Sequence, residues 1–305
     1  MNRLPRRLVP LIALCLAGCG SDSMGTPEPE PEPGPPQAMT VMTFNVLCSF
    51  CDSTYDPWDD RLGYFADLFS RYDPDLVGLQ ELAFEAEVDQ LGEALGGTHD
   101  PLFFENPDNG VVYPDATIFY RRDRFEVVTR GEFWLSPTPD VPSSNGFAPP
   151  QLPRLVMWAE LRDTASHRTF HFATTHFDNN SPSQELSAPL LLERAAPWMS
   201  KPVIIVGDFN SQPADEAYRI LVEGSDGHPG LSNTQGLAAT WSVEHNQPAE
   251  PAYDLDERID HIFCAPQPDD WSVESWAVDL HTYGPDDRYP SDHWAMAARL
   301  TPPAL

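Results

Sequence analysis

The chain is built from short apolar runs, and many of them finish in one or two polar residues. The clearest is Val203-Ile204-Ile205-Val206, which runs into Gly207-Asp208-Phe209-Asn210. A short β-branched run between a proline (Pro202) and a glycine reads as a buried strand. Successive strand side chains point to opposite faces, so Asp208 and Asn210 are expected on one face and Phe209 on the other. A strand end followed by an Asx turn is the alternative reading of the same residues.

The pattern recurs. Strands are expected over 39–46, 74–81, 115–120, 125–128, 133–136, 155–161, 169–176, 203–206, 258–263, 271–280 and 294–300, and helices over 61–72, 81–95, 184–199 and 214–222. Many strands with few interspersed helices predict an α/β fold of two sheets packed face to face, with helices outside. The polar ends of the central strands would then meet in one cleft.

The first residues read as a targeting segment. Arg3, Arg6 and Arg7 precede a short apolar stretch over 8–16 that is too short to span a bilayer. Leu16-Ala17-Gly18-Cys19 resembles a bacterial lipobox. That resemblance implies a lipoprotein signal peptide over 1–18, lipidation of Cys19, and an exported protein on the periplasmic or outer face of the outer membrane. Residues 19–38 form a linker whose alternating Pro and Glu cannot build a core and give an extended spacer. A single domain is expected over 39–305, and it is expected to be monomeric.

Charge narrows the partners. The chain has 18 Lys and Arg against 47 Asp and Glu, a net charge of −29, and Lys201 is its only lysine. Nucleic-acid affinity leans on phosphate neutralisation by basic residues, so tight duplex binding is disfavoured. A nuclease that bridges to phosphate through divalent cations remains compatible. In an oxidising compartment Cys48 and Cys51 could form a local disulfide, leaving Cys264 as a buried thiol.

Six motifs occur in order: Thr43-Phe44-Asn45, Leu79-Gln80-Glu81, Thr175-His176-Phe177, Gly207-Asp208-Phe209-Asn210, Arg258-Ile259-Asp260-His261 and Ser291-Asp292-His293. Together they resemble the deoxyribonuclease-like endonuclease/exonuclease/phosphatase superfamily across the whole domain. The resemblance implies a four-layer α/β sandwich, two mainly antiparallel sheets flanked by helices, and a metal-dependent phosphoesterase. Phosphoester hydrolysis needs charge neutralisation, an activated water and a protonated leaving group.

The resemblance also implies roles. Glu81 is the principal metal ligand, with Asn45 and Asp292 beside it. These are hard oxygen donors suited to Mg²⁺, although Mn²⁺ or Ca²⁺ would fit the same set. His293 pairs with Asp260 as a general base or electrostatic clamp. Asp208 orients the attacking water, and Asn210 holds that water or a phosphate oxygen. His176 stands as a second catalytic histidine with Asp115 as partner, and Arg154 as a phosphate contact. His171 and His261 fall on the opposite strand faces and read as packing residues. After Asn210 the chain continues Ser211-Gln212-Pro213, which departs from the inositol-phosphatase signature. The paired His176 and His293 lead to the expectation of nuclease-like phosphodiester hydrolysis, with a sphingomyelinase-like or small-molecule phosphodiesterase or phosphatase as the alternative and a non-catalytic surface binding module as a third reading. Nucleic acid, a phospholipid head group and a small phosphodiester are the corresponding substrates. Specificity is expected in the segments 106–114, 137–153 and 243–255.

Overall fold

The computed structural model describes residues 32–304, apart from 52, 53, 107, 249–251 and 267. Residues 1–31, which hold the expected signal peptide, the expected lipidation site Cys19 and most of the expected linker, lie outside the described residues. The first sheet comprises β1 (Met39–Asn45), β2 (Leu76–Gln80), β3 (His99–Glu105), β4 (Val112–Arg121), β10 (Thr240–Glu244), β12 (Ser272–Asp279) and β13 (Ala295–Thr301). Its strand order is β10-β12-β13-β1-β2-β4-β3. The second comprises β5 (Phe125–Trp134), β6 (Leu155–Asp163), β7 (Thr169–His176), β8 (Val203–Asp208), β9 (Ser232–Asn233) and β11 (Asp260–Ala265), in the order β5-β6-β7-β8-β11-β9. Both sheets are mixed. Neighbours run antiparallel except for β1 with β2, β10 with β12, and β7 with β8.

Alternation along the strands sorts the side chains into layers. Ile204, Val206, Phe172 and Ile262 point inward and meet Val41, Leu76, Ile118 and Val278 of the other sheet. Val203, Ile205 and Phe263 point outward beneath α3 (Ser183–Ala195) and α4 (Glu216–Glu223), against Leu191, Leu192 and Leu221. On the far side, Phe44, Val77 and Phe119 lie beneath α1 (Trp58–Tyr72) and α2 (Glu85–Ala94), against Phe65, Leu68 and Leu91. The result is the helix–sheet–sheet–helix sandwich expected from the sequence.

Two glycines permit the close approach of layers and strands. A Cβ on Gly78 would lie 2.4 Å from Val206 Cγ2 and 2.5 Å from Thr174 Oγ1, so β2 meets the second sheet only because this side chain is absent. Gly207 has φ +154°, and a Cβ there would lie 2.1 Å from the Thr175 carbonyl oxygen. It lets β8 lie beside β7 at the point where Asp208 follows.

The strands differ from expectation in two ways. Segments 125–128 and 133–136 belong to one strand, β5, which absorbs an irregularity between Val127 and Thr129. Strands β3, β9 and β10 carry too little apolar alternation to be read from the sequence. Pro101 lies within β3, at the edge of its sheet, where a missing N–H is tolerated. β10 is the other edge, with Trp241 51% exposed.

Candidate active site

Register brings the polar strand ends together. Parallel pairing of β7 with β8 sets His176 beside Asp208, and antiparallel pairing of β8 with β11 sets Asp260 on its other flank. From the facing sheet, Asn45 ends β1 beside Gln80, and Glu81 follows in a left-handed conformation, φ +69°. The Glu81 N–H donates to the Asp115 carbonyl at 3.0 Å.

Asp208 is the hub. Its Oδ2 lies 3.5 Å from His176 Nε2, 3.7 Å from His293 Nε2 and 3.1 Å from Asn45 Nδ2. Its Oδ1 accepts the Asn210 N–H at 2.9 Å. The Asx turn and the converging site are therefore both present, one on each carboxylate oxygen. Strand alternation does not extend to Asn210, however. β8 ends at Asp208, and Asn210 adopts φ +48°. Its Nδ2 donates to the Phe177 carbonyl at 3.0 Å, and its carbonyl accepts from Gln184 Nε2 at 2.6 Å. Asn210 thus ties the loop after β7 to α3.

His293 Nδ1 donates to Asp260 Oδ2 at 2.8 Å. Burial opposes charge on the imidazole, but the carboxylates of Asp260, Asp208 and Asp292 outweigh it and raise its pKa to about 10. Asp260 is pushed up to about 6 by burial, against the pull of His293 and with repulsion from Asp208. Between those values the pair exists as an ion pair.

The second histidine has its own acid. His176 Nδ1 lies 3.0 Å from Asp115 Oδ1 and 2.7 Å from Arg154 Nη1, which also reaches Asp115 Oδ2 at 3.2 Å. Asp115 sits within β4 and is buried. Burial would raise its pKa, but His176 and Arg154 pull it down to about 2. Arg154 is itself partly buried, with Nη1 committed to this pair. As arranged it acts on His176 and Asp115.

The donor set fits a hard divalent cation. Asn45 Nδ2 donates to both Glu81 Oε1, at 3.0 Å, and Asp208 Oδ2, so two carboxylates from different sheets face one small volume. The ligand atoms of Asp208, Asp260 and His293 lie within 4.8 Å of one another. Asp292 stands exposed at the mouth, its Oδ1 3.3 Å from Ser291 Oγ. Cys48, Cys51 and Glu81 also cluster, but the two cysteines are joined in a disulfide and offer no thiolate. Instead, the Cys48 N–H donates to Glu81 Oε2 at 2.9 Å.

Supporting residues complete the site. The guanidinium of buried Arg61 donates to the carbonyls of Val46, Leu47 and Pro290, joining the chain after Asn45 to the chain before His293. Ser291 Oγ donates to the Asn45 carbonyl at 2.7 Å and accepts from the His293 N–H at 3.2 Å. Ser291 opens the last of the six motifs, but Arg61 lies in none of them. Its one sequence signal is an arginine on the apolar face of a helix. His261 and His171 are packing residues. His261 lies among Phe209, Tyr218 and Phe263 with burial lowering its pKa to about 3, and His171 is stacked on Trp198 and lowered to about 4.

Comparison with known proteins points one way. A model of the Endonuclease/Exonuclease/phosphatase family matches residues 42–293. Nocturnin of Xenopus laevis is 26% identical over 216 residues, which cover 62% of this chain and 52% of that protein, so the chain spans about half the length of the curated relative it matches. An endonuclease/exonuclease/phosphatase family protein from Bacteroides thetaiotaomicron superposes with a TM-score of 0.73 at 27% identity, covering 87% of this chain and 98% of the other. A mannosyl-6-phosphatase from the same organism superposes with a TM-score of 0.71, also at 27% identity, over 86% and 99% of the two chains.

Proposed function

We propose that this chain, which belongs to the Endonuclease/Exonuclease/phosphatase family, is a Mg²⁺-dependent hydrolase of small phosphoesters. The observation that carries the reading is the convergence of two imidazoles on Asp208 Oδ2, beside the Asn45–Glu81 pair. Glu81, Asn45 and Asp208 would hold the cation, with Asp292 at the mouth, and its charge would neutralise phosphoryl oxygens. His293, held cationic by Asp260, adds fixed positive charge where negative charge grows in the transition state. Asp208 accepts a hydrogen bond from the attacking water and orients it. His176 Nε2 would give its proton to the departing oxygen, with Nδ1 held by Asp115 and Arg154.

A small substrate follows from charge. The surface supplies few cations for a polyanion, and the sole lysine is paired with Glu160. The mannosyl-6-phosphatase among the solved relatives supports the same size class. A nuclease-like diesterase is the second reading, because the paired His176 and His293 resemble the arrangement of the nuclease-like members of the family. A panel of hexose phosphate, bis-p-nitrophenyl phosphate, sphingomyelin and plasmid DNA, each with Mg²⁺ and with EDTA, separates the readings. Turnover confined to the small esters is the expected result, and efficient plasmid cleavage would move the assignment to the nuclease branch. We also propose that lipid on Cys19 anchors the enzyme to the outer membrane. Cys19→Ser should then shift the protein from the membrane to the soluble fraction, and an unchanged distribution would exclude the anchor.

A further inference from the structure

A cavity of about 260 Å³ opens beside the His293–Asp260 pair. The loop before β11 contributes Tyr253 and Arg258, and the entry to β13 contributes Asp292, His293 and Trp294. Three residues lining it carry a buried polar atom with no partner among the described residues: Tyr253 Oη, Arg258 Nε and Asp260 Oδ1. Arg258 is held in place by donating from Nη1 to the Leu255 carbonyl, so its Nε–H is left over by a fixed side chain.

Unpaired buried polar groups are costly, and sites that tolerate them are often completed by a ligand. Here the ligand must accept from Nε–H, donate to a carboxylate oxygen and pair with a phenol that can do either. A hydroxyl both donates and accepts, so adjacent hydroxyl groups satisfy all three. Tyr253 and Trp294 bring aromatic surface to the same cavity, suited to the apolar face of a ring. The volume admits a group of roughly monosaccharide size, below the usual range for drug-sized ligands. Arg258 and the neighbouring cationic His293 disfavour a quaternary ammonium head group.

We propose that this cavity is the specificity subsite for the alcohol portion of the substrate, and that the alcohol is a polyol or sugar. The proposal rests on the hydrolase reading above and assigns Tyr253 and Arg258 to the recognition of hydroxyl groups.

The test compares wild type, Tyr253→Phe and Arg258→Lys on a hexose phosphate and on p-nitrophenyl phosphate, which has no hydroxyl groups to bind. For each variant, the ratio of kcat/KM for the hexose ester to that for the aryl ester should fall about tenfold, as expected for one buried hydrogen bond. The fall should reside mainly in KM. Calorimetric binding of the hexose phosphate, which needs no turnover, should weaken by a similar factor. An unchanged ratio with unchanged binding overturns the subsite even if both esters are cleaved. Hexose phosphate that binds wild type and loses affinity in both variants, with neither ester cleaved, upholds the subsite and sinks the hydrolase reading instead.

Discussion

Asp208 shows how much one residue can carry. One oxygen closes the Asx turn, and the other faces two imidazoles and a carboxamide. From sequence, turn and chemistry are alternatives, and a carboxylate with two oxygens does both. What could not be read was the path of Asn210, because a left-handed residue breaks the strand alternation that the reading relied on. The two acid–histidine pairs predict pH behaviour of opposite kinds. The Asp260–His293 ion pair requires Asp260 ionised, above about 6, and His293 protonated, below about 10. The profile of kcat/KM should rise near the lower value and fall near the upper. Asp260→Asn removes the leading charge that keeps His293 protonated, so the alkaline limb should move down by more than a unit. A limb that stays in place would remove His293 from the mechanism. Asp115 is held at about 2, below its ordinary 3.8. A depressed carboxyl stabilises the fold above its unfolded value and loses that contribution as pH falls through the folded one. This pair should supply roughly 2 kcal/mol that disappears between about pH 4 and pH 2. Urea midpoints measured across that range should fall less steeply in Asp115→Asn.

At the scale of elements, the site is made by registers. The central strands β1, β2, β7, β8 and β11 are apolar on both faces because both are covered, which makes them legible as short runs in the sequence. Edge strands β3, β9 and β10 are partly exposed and mixed in composition, so no sequence pattern marks them, nor the continuity of β5 through its irregularity. The motif residues were legible because they stand where central strands end. Arg61 was not, because it acts through backbone carbonyls that no sequence pattern marks. Packing between the layers predicts that Gly78→Ala is costly, since its methyl would meet Val206 and Thr174 at under 3 Å. A loss of about 1–3 kcal/mol in urea unfolding is expected, and an unchanged midpoint would show that the sheets can separate freely there. The loop between β1 and α1 predicts a second effect. Its disulfide fixes the Cys48 N–H that donates to Glu81 Oε2. Cys51→Ser should weaken Mg²⁺ binding by roughly tenfold, the usual scale for a group that orients a metal ligand. Equal metal affinity in variant and wild type would separate the disulfide from the site.

For the whole molecule, fold and charge push in different directions. The sandwich gathers acids from both sheets into a cleft that fits a divalent cation, and the same excess of acid over the rest of the surface repels polyanions. A negative protein can still process phosphate if the cation and His293 supply the positive charge locally. The central claim is that the cluster around Asp208 hydrolyses phosphoesters with the help of a divalent metal. The most direct measurement is the rate of bis-p-nitrophenyl phosphate hydrolysis by wild type, Asp208→Ala and His293→Ala, in Mg²⁺, after EDTA and after Mg²⁺ is restored. The account predicts turnover by wild type that EDTA removes and Mg²⁺ restores, and a loss of about 10²–10⁴-fold in each variant. Equal rates in all three proteins, or a wild-type rate indifferent to EDTA, would contradict it.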